Sequence, residues 1–349
     1  MKKKIFLSLT VCMLAFGAFS QTYITQVKSL QNKKWGYVNL NGDVIAEPKF
    51  EKCYQFSSDG LAAIYDSDNR QYYFINTKGE RLATEVKDFK LIDRFGFGLE
   101  GFNEGLIPVK IKEKWGYMNS EGKVSIPAKY DEVKGFGSGH AAVVINDKFS
   151  IVNTSGEEIA IESPGVMEVK EFSENLAPFR ASDKKFGYLD VNGKVSIKPQ
   201  FESVGYFKNG IAWAKSDGKV GYIDPSGEWI IKPQFTSGGN FDAESGLARV
   251  KTGSEWGYVN KEGKVLRIKD STVWEDFSEG LALGKKGGLF GFYNNEGTWV
   301  INSQFEGARD FKNGYAAAKK GDKWGMIDKS GKWVIEPAYD GIRDMELVK

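Results

Sequence analysis

The stretch KWGYVNLNGDVIAEPKF, residues 34–50, contains a Trp-Gly dipeptide, a polar turn and a return segment that ends in Pro-x-aromatic. Residues 323–339, KWGMIDKSGKWVIEPAY, repeat nearly the same pattern close to the other end of the chain. Self-similarity of this kind indicates a repeat architecture. The fold therefore depends on how often this stretch recurs and on what each copy forms.

The aromatic residue of the Trp-Gly dipeptide anchors nine copies, which follow one another at intervals of 34 to 43 residues. The anchors are Trp35, Tyr72, Trp115, Phe149, Phe186, Val220, Trp256, Phe290 and Trp324. In every copy an Asn or Asp follows four residues after the anchor, and a Gly follows seven residues after it. Two rules that hold in all copies define a tandem array rather than a chance similarity.

The Asn or Asp and the Gly predict a β-hairpin in each unit. A short Asx side chain accepts hydrogen bonds from the backbone of the turn, and Gly supplies the positive φ that closes it. In the first unit these residues are Asn39 and Gly42, and Val44 and Ile45 begin the return strand. We expect the Gly after the anchor, Gly36 in this unit, to let a neighbouring ring or strand approach closely.

A third element, Gly-Leu-Ala or a variant of it, precedes each later hairpin, and a Phe such as Phe56 or Phe311 stands shortly before it. The copies are Gly60-Leu61-Ala62, Gly105-Leu106-Ile107, Gly139-His140-Ala141, Asn175-Leu176-Ala177, Gly210-Ile211-Ala212, Gly246-Leu247-Ala248, Gly280-Leu281-Ala282 and Gly314-Tyr315-Ala316. Each unit is therefore predicted to contain about three short strands. One unit alone is too small to be stable, so neighbouring units must supply its core.

The repeated phrase resembles the bacterial WG-repeat family, also called KWG repeats, from Lys34 to about Tyr339. The best matches are Trp35-Gly36, Trp115-Gly116, Trp256-Gly257 and Trp324-Gly325. Two units, with Tyr72-Tyr73 and Phe149-Ser150 at this place, keep neither named residue. The resemblance implies an all-β repeat protein that is often secreted or surface-associated, and it implies no activity and no catalytic residues.

The array could form an open stack or a closed ring. Nine units of about three strands exceed the usual four to eight propeller blades, which contain four strands of typically 40–45 residues in total. We therefore expect an open, superhelical, solenoid-like stack of hairpins, with a propeller-like ring as the alternative. Ile24–Lys28 and Met345–Lys349 could add a leading and a trailing strand that favour the ring, or could cap two free ends.

Residues 1–20 have the pattern of a secretory signal peptide. A basic start is followed by an apolar run from Ile5 to Phe19, and Ala18-Phe19-Ser20 places small residues before Gln21. The run is shorter than the roughly 20 apolar residues of a membrane span, so cleavage is favoured over anchoring. The mature chain, residues 21–349, is then expected to be one repeat array without a transmembrane anchor.

Charge and cysteine content restrict the function further. The full chain carries a formal charge of +2, and loss of Lys2, Lys3 and Lys4 changes it to −1. A chain so close to neutral has no basic bias toward nucleic acid. Cys12 leaves with the signal peptide, so Cys53 has no intrachain partner and is interpreted as a small buried residue, with an intermolecular disulfide as the alternative.

The residue types that carry chemistry form no recognisable set. His140 is the only histidine and is interpreted as a tolerated substitution on the third strand, which disfavours a Ser-His-Asp or a His-based zinc site. Acid pairs such as Glu157-Glu158 have nothing that brings them together in a pocket. Asp66-Ser67-Asp68-Asn69 resembles half a calcium loop but lacks the later Gly and Glu, so it is interpreted as a hairpin tip. We expect no enzymatic activity, no cofactor and no metal.

Aromatic residues are the remaining candidates for ligand contact. Trp35, Trp115, Trp256 and Trp324 could stack on sugar rings, but their fixed place beside Gly favours packing against the next unit. The tryptophans outside the repeat rule are Trp213, Trp229, Trp274, Trp299 and Trp333. They could be exposed, yet their neighbours do not show which side they face, so the ligand-binding residues stay unassigned.

The sequence thus predicts a non-catalytic binding or scaffold protein of the bacterial cell envelope, which uses an extended β-repeat surface. The expected partner is an envelope protein or a polysaccharide, and the expected location is the periplasm, the outer surface or outside the cell. The alternative is a glycan-binding protein that uses exposed aromatic rings.

Overall fold

The computed structural model describes residues 22–94, 98–99, 101–268 and 270–348. The predicted signal peptide, residues 1–20, lies outside the described residues. All regular secondary structure in the described residues is β-strand. In this part of the chain no helix has the length and apolarity that a membrane span needs.

The strands of the first half follow the predicted hairpins closely. They are β1 (Thr22–Lys28), β2 (Trp35–Asn39), β3 (Val44–Phe50), β4 (Lys52–Cys53), β5 (Leu61–Asp66), β6 (Gln71–Asn76), β7 (Asp93–Arg94), β8 (Gly98–Leu99), β9 (Leu106–Ile111), β10 (Lys114–Asn119), β11 (Val124–Tyr130), β12 (Glu132–Val133), β13 (His140–Ile145), β14 (Lys148–Asn153), β15 (Glu158–Ala160), β16 (Val166–Val169), β17 (Leu176–Ala181), β18 (Phe186–Asp190) and β19 (Val195–Phe201).

The second half continues the same order of strands. They are β20 (Ser203–Val204), β21 (Ala212–Ser216), β22 (Lys219–Ile223), β23 (Trp229–Phe235), β24 (Ser237–Phe241), β25 (Ala248–Thr252), β26 (Glu255–Val259), β27 (Val265–Leu266), β28 (Phe277–Ser278), β29 (Leu281–Lys286), β30 (Leu289–Tyr293), β31 (Trp299–Phe305), β32 (Gly307–Ala308), β33 (Tyr315–Lys320), β34 (Lys323–Asp328), β35 (Trp333–Tyr339), β36 (Gly341–Ile342) and β37 (Glu346–Val348).

Each repeat unit supplies most of one antiparallel sheet, which we call a blade and number 1–9 by its anchor. A complete blade contains four strands, as in blade 6 with the order β20-β21-β22-β23. Its first strand is very short, its second carries the Gly-Leu-Ala element, its third carries the anchor and its fourth returns from the hairpin. The prediction of three strands per unit missed the first strand, because β20 spans only two residues and has no readable periodicity.

Blade 1 is built from both ends of the chain. Strand β1 pairs with β2 on one side and with β36 and β37 on the other, with Ile24 opposite Glu346 and Val27 opposite Ile342. The leading and trailing segments therefore join instead of capping two free ends. The predicted open superhelical stack is wrong, and the alternative, the ring, is the observed architecture: a closed nine-bladed β-propeller.

Hydrophobic packing closes the same ring independently of the strand pairing. Nine clusters of buried residues occur in the described part of the chain, and each lies between two consecutive blades. On β2, for example, Tyr37 packs with Phe56 of blade 2, whereas the next residue, Val38, packs with Met326 of blade 9. Both faces of a blade are thus buried, which explains why its inner strands do not alternate between apolar and polar residues.

The predicted hairpin turn is confirmed. The Asn39 side-chain oxygen accepts hydrogen bonds from the backbone N–H groups of Asn41 and Asp43 at 3.0 and 2.9 Å. Gly42 adopts φ of 84°, and the equivalent Gly of every other blade also has positive φ. The geometry that the Asx and Gly positions predict therefore occurs in all nine units.

The glycine after the anchor lets a neighbouring strand approach closely, as expected, and this strand is the return strand of the same hairpin. An added Cβ at Gly36 would lie 2.5 Å from the carbonyl oxygen of Ala46, which belongs to the return strand of the same hairpin. The return strand bulges at this point, since Trp35 pairs with Phe50 but Tyr37 pairs with Ala46. The glycine therefore admits a bulge that bends the outer strand of the blade.

An edge-to-face contact of two aromatic rings and a hydrogen bond connect each typical blade to the next. Tyr37, two residues after the anchor, lies edge-on to Phe56 with ring centroids 5.0 Å apart, and its hydroxyl donates to the Tyr54 carbonyl at 2.6 Å. Tyr117, Tyr188, Tyr222 and Tyr258 donate to the equivalent carbonyls of the following blades. The repeated Phe that precedes each Gly-Leu-Ala element is therefore the docking point for the previous blade.

Candidate functional site

The first strands of the blades line the inside of the ring. A cavity of about 620 Å³ is bordered by residues 51–57 of blade 2, by Leu99, Gly101 and Phe102 of blade 3, and by residues of blades 9 and 1. First-strand residues of four consecutive blades can converge on one space only at the inner side of a ring. We call this space the inner cavity, and its volume is in the range of small-ligand sites.

A second cavity of about 440 Å³ adjoins the first and extends it toward blade 8. Arg309, Lys312 and Asp344 border both cavities. The pair of cavities thus occupies the sector of the ring formed by blades 8, 9, 1, 2 and 3, and blades 9 and 1 lie at its centre.

Charged side chains are concentrated in this sector. The two residues before the repeated Phe, or the Met at its place in blade 1, are Glu275-Asp276 in blade 8, Arg309-Asp310 in blade 9 and Arg343-Asp344 in blade 1. At the same places blades 6 and 7 have Gly205-Tyr206 and Gly239-Asn240. One side of the inner wall therefore carries many charged residues, and another side carries glycine and uncharged polar residues.

Asp310 has the most strongly perturbed carboxyl group of this sector. Its side chain is open to the cavity, but protein surrounds the cavity and limits solvation of the charge. This desolvation, together with the negative charges of Glu275, Asp276 and Asp344, raises the pKa of Asp310 to about 6. The carboxyl group of Asp310 can therefore change its charge near neutral pH.

Arg249 of blade 7 balances the two acids of blade 8. Its Nη1 lies 3.1 Å from the Glu275 carboxylate, and its Nε lies 3.0 Å from that of Asp276. The guanidinium also donates to the Trp274 carbonyl. These contacts bind blade 7 to blade 8 and leave the acids of blade 8 compensated.

Arg309 and Arg343 differ from Arg249 because their charges are not balanced by an ion pair. In the described residues, no carboxylate lies within ion-pair distance of either guanidinium. Arg343 lies over the ring of Trp35, 5.2 Å from its centroid. Burial and the positive charge of Arg309 lower the pKa of Arg343, which indicates that the two cations are close enough to repel each other.

Gln55 adds a further polar group without a partner. Its Nε2 is buried and makes no hydrogen bond to any described residue. The side chain borders the inner cavity together with Arg309 and Arg343. Unsatisfied buried donors are rare in folded proteins, so this position calls for an acceptor.

The anchor tryptophans do not form an exposed ligand surface. Trp35, Trp115, Trp256 and Trp324 are all half-buried. Trp115 and Trp256 each have a cationic side chain of the adjacent strand over the ring, Lys110 and Lys251 respectively. Trp35, Trp115 and Trp324 pack against the buried cluster between their own blade and the next, as the sequence favoured, and their rings stay partly exposed.

The five tryptophans outside the repeat rule are also half-buried. Trp229 and Trp333 lie edge-on to Phe201 and Phe305, which end the return strands of the preceding blades. Trp274 packs against Tyr258, with ring centroids 5.5 Å apart. These side chains contribute to packing within and between blades, which their sequence context did not reveal.

Two polar features singled out in the sequence, His140 and the half calcium loop, have local structural partners. His140 Nδ1 lies 2.8 Å from the Ser138 carbonyl oxygen. The Asp66 carboxylate accepts from the backbone of Asp68 and Asn69, which makes the half calcium loop a hairpin tip as predicted. Across the described ranges, no group of three or more His, Cys, Asp and Glu side chains could hold a metal ion.

Cys53 is only partly buried, and it is a free thiol. Gln26 Nε2 donates to its sulfur at 3.1 Å, and burial raises the pKa of the thiol. A thiol with a raised pKa is a poor nucleophile at neutral pH. This environment agrees with a packing role for Cys53.

The charged inner wall was missed from the sequence. A signal was present, because Arg-Asp precedes Phe311 in one unit and Met345 at the equivalent place near the C-terminus. Recognising it requires aligning the C-terminal segment with the other first strands. Because three strands per unit were expected instead of four, the short first strands were not aligned with one another. Arg309 and Arg343 were therefore not recognised as equivalent positions.

Comparison with solved structures supports a propeller. The chain is similar to the crystal structure of a eukaryotic initiation factor at a TM-score of 0.56 and 13% identity, covering 94% of this chain and 97% of that chain. It also matches AztD of Citrobacter koseri at a TM-score of 0.44 and 10% identity, covering 94% and 99%. The computationally designed Ika8 protein matches at 0.43 and 11%, covering 80% and 93%. At 13% identity the similarity to the initiation factor concerns the fold alone, and the two matches with TM-scores below 0.5 support no conclusion about this chain.

No curated protein matches the sequence. The WG containing repeat, in contrast, matches six segments: residues 35–67, 115–149, 186–219, 221–255, 290–324 and 324–346. These segments cover more than half of the chain, and they include three Trp-Gly dipeptides and two Phe-Gly variants at the anchor position. The chain belongs to the WG-repeat family.

Proposed function

We propose that this chain is a non-catalytic binding or scaffold protein of the bacterial cell envelope, which holds a protein or polymer partner on its nine-bladed ring. The WG-repeat propeller is a rigid frame with a repeated surface, and such a frame suits an interaction scaffold. The envelope location follows from the expected signal peptide, residues 1–20.

One observation carries the proposal: the variation between units is concentrated at the inner wall. The turn residues of each hairpin obey the same rule in every copy, whereas the dipeptide before the repeated Phe follows no common rule. It is Tyr54-Gln55 in blade 2, Lys170-Glu171 in blade 5 and Arg309-Asp310 in blade 9. Repetition thus fixes the frame, and the variable residues of blades 9, 1 and 2 border a cavity where they can determine which partner binds.

The contacts of the charged groups favour binding over catalysis. Glu275 and Asp276 are paired with Arg249, and Glu346 is paired with Lys312 at 2.7 Å. A general acid and base need to be positioned toward a substrate. Groups that neutralise one another across blade interfaces are better explained as fixing the shape of the inner wall.

The proposal can be tested in two steps. Cell fractionation followed by N-terminal sequencing should find the protein outside the cytoplasm and beginning near Gln21. The immobilised protein should then capture a defined partner from an envelope extract, and a heat-denatured sample should not. A protein that stays in the cytoplasm with its N-terminus intact contradicts the envelope location, and reproducible failure to capture any partner contradicts the scaffold.

The glycan-binding alternative depends on exposed aromatic rings. None of the nine tryptophans is exposed, so the structure offers no stacking platform of the expected kind. A glycan array distinguishes the two proposals. Binding to a defined glycan that is lost when a half-buried Trp is replaced would favour the alternative.

A further inference from the structure

We propose that the inner cavity binds the free carboxylate at the end of a peptide chain, with Arg309, Arg343 and Gln55 as the recognition residues. This inference rests on the proposed function, since it names the ligand that the same scaffold would take. It depends on three groups that lie on three consecutive blades, 9, 1 and 2.

The first argument is that two arginines of the inner cavity lack an ion-pair partner. Other cations of the inner cavity have partners, because Lys312 pairs with Glu346 at 2.7 Å and Lys52 pairs with Asp93 at 2.5 Å. Arg309 and Arg343 have no carboxylate at this distance in the described part of the chain. A carboxylate that accepts bonds from a guanidinium makes the strong, charge-assisted contact for which arginine is suited.

The second argument is the buried amide of Gln55. Its Nε2 has no acceptor among the described residues, although it borders the same cavity as the two arginines. A ligand oxygen would satisfy this donor. A carboxylate has two oxygens with several lone pairs, so it can accept from a guanidinium and from this amide at the same time.

The third argument is electrostatic preorganisation. Both arginines border the inner cavity, and burial together with the positive charge of Arg309 lowers the pKa of Arg343. The stack of Arg343 on Trp35 holds its guanidinium plane in place without neutralising it. An anion between the two cations would relieve the repulsion, so this pair is arranged for a negative ligand and not for structural stability.

The other residues of the cavity restrict the ligand to a singly charged group on a polar chain. Asp344, Glu346 and Glu51 line the same space, and they would oppose a multiply charged ion such as phosphate. Their oxygens can instead accept hydrogen bonds from amide N–H groups. Leu99 adds apolar surface for a side chain, and a volume of about 620 Å³ can hold a few residues.

The experiment is a calorimetric titration of the purified protein with N-acetyl-trialanine as the free acid, with the C-terminal amide of the same peptide and with inorganic phosphate. We expect saturable binding of the free acid, and binding of the amide and of phosphate that is at least about tenfold weaker. R309Q and R343Q should each weaken binding of the acid about tenfold or more. R267Q, which removes an arginine paired with Glu255 outside the inner cavity, should bind like the unmodified protein.

A fourth variant makes the test independent of lost stability. Gln55→Glu places a fixed carboxylate where we expect that of the ligand, so it should abolish binding while the thermal midpoint stays equal or rises. Equal binding of acid and amide, tighter binding of phosphate, no binding of the acid, or unchanged affinity in R309Q and R343Q would each overturn the inference. If an envelope partner is captured equally well by the R309Q/R343Q double variant, the carboxylate site is wrong and the scaffold proposal survives.

Discussion

The hydroxyl of Thr25 donates a hydrogen bond of 2.8 Å to the backbone carbonyl of Arg343, 318 positions further along the chain. This contact lies inside blade 1, where the two ends of the chain share one sheet. The N-terminal strand thus helps to hold the backbone of Arg343, which borders the inner cavity. Ring closure and the candidate binding site are therefore coupled.

Removal of residues 341–349 should open the ring. Strand β1 would lose β36 and β37, and the cluster around Ile342 and Met345 would be lost from the interface between blades 9 and 1. We expect a lower thermal midpoint and self-association through the free edge of β1, because unpaired strand edges and exposed apolar faces promote aggregation. Light scattering and circular dichroism would check this, and a monomer with an unchanged midpoint would show that closure contributes little.

Replacement of Tyr188 by Phe should destabilise the protein by about 1–3 kcal/mol, because the buried Gly205 carbonyl loses its donor at 2.8 Å. Urea unfolding measures the change. Tyr65→Phe is the matched control, since the hydroxyl of Tyr65 makes no hydrogen bond to the rest of the described chain. Equal effects of the two substitutions would mean that the inter-blade hydrogen bond does not matter.

Replacement of Gly325 by Ala should cost about 1–3 kcal/mol or more, since the new Cβ would lie 2.5 Å from the Ile335 carbonyl oxygen and the bulged return strand would have to shift. Chemical denaturation provides the measurement. Gly101→Ala is the control, because its Cβ would meet only the Cβ of Ser57, at 4.0 Å. A neutral Gly325→Ala substitution would contradict the steric role of the glycine that follows each anchor.

The stability contributed by Asp310 should depend on pH. Its pKa is raised from 3.8 to about 6 in the folded protein, so the folded state retains the proton more tightly than the unfolded state. The resulting stabilisation is fully present below about pH 3.8 and is lost as the pH rises through about 6. The Asp310→Asn variant should therefore gain thermal stability relative to the unmodified protein as the pH increases across this window.

The control for Asp310 is Asp131, whose pKa is shifted in the opposite direction. The hydrogen bond and charge of Lys114 lower the pKa of Asp131, so its contribution is present at neutral pH and is lost as the pH falls. Between pH 4 and pH 7 the stability difference between Asp131→Asn and the unmodified protein should therefore stay nearly constant and change only below about pH 3.8, whereas the difference for Asp310→Asn should change across this range. Parallel curves would show that the acids around Asp310 do not perturb it.

The sequence by itself determined the repeat unit. Asn39 and Gly42 act through contacts only two to four residues away, so their spacing was sufficient to predict the hairpin in all nine copies. Asn175 is a further example, because it stands where the other copies have Gly and adopts the same positive φ, 64°. Local geometry of this kind is encoded by neighbouring residues and is readable without the rest of the chain.

Only the tertiary structure decided that the array closes and what its inside presents. Closure depends on the pairing of Ile24 with Glu346, and the charged wall depends on the equivalence of Arg309 and Arg343 in adjacent blades. The strands that create both relationships are as short as two residues, and their apolar partners lie on two neighbouring blades at once. No local periodicity records such contacts, because the curvature that brings the last blade back to the first accumulates over the whole ring.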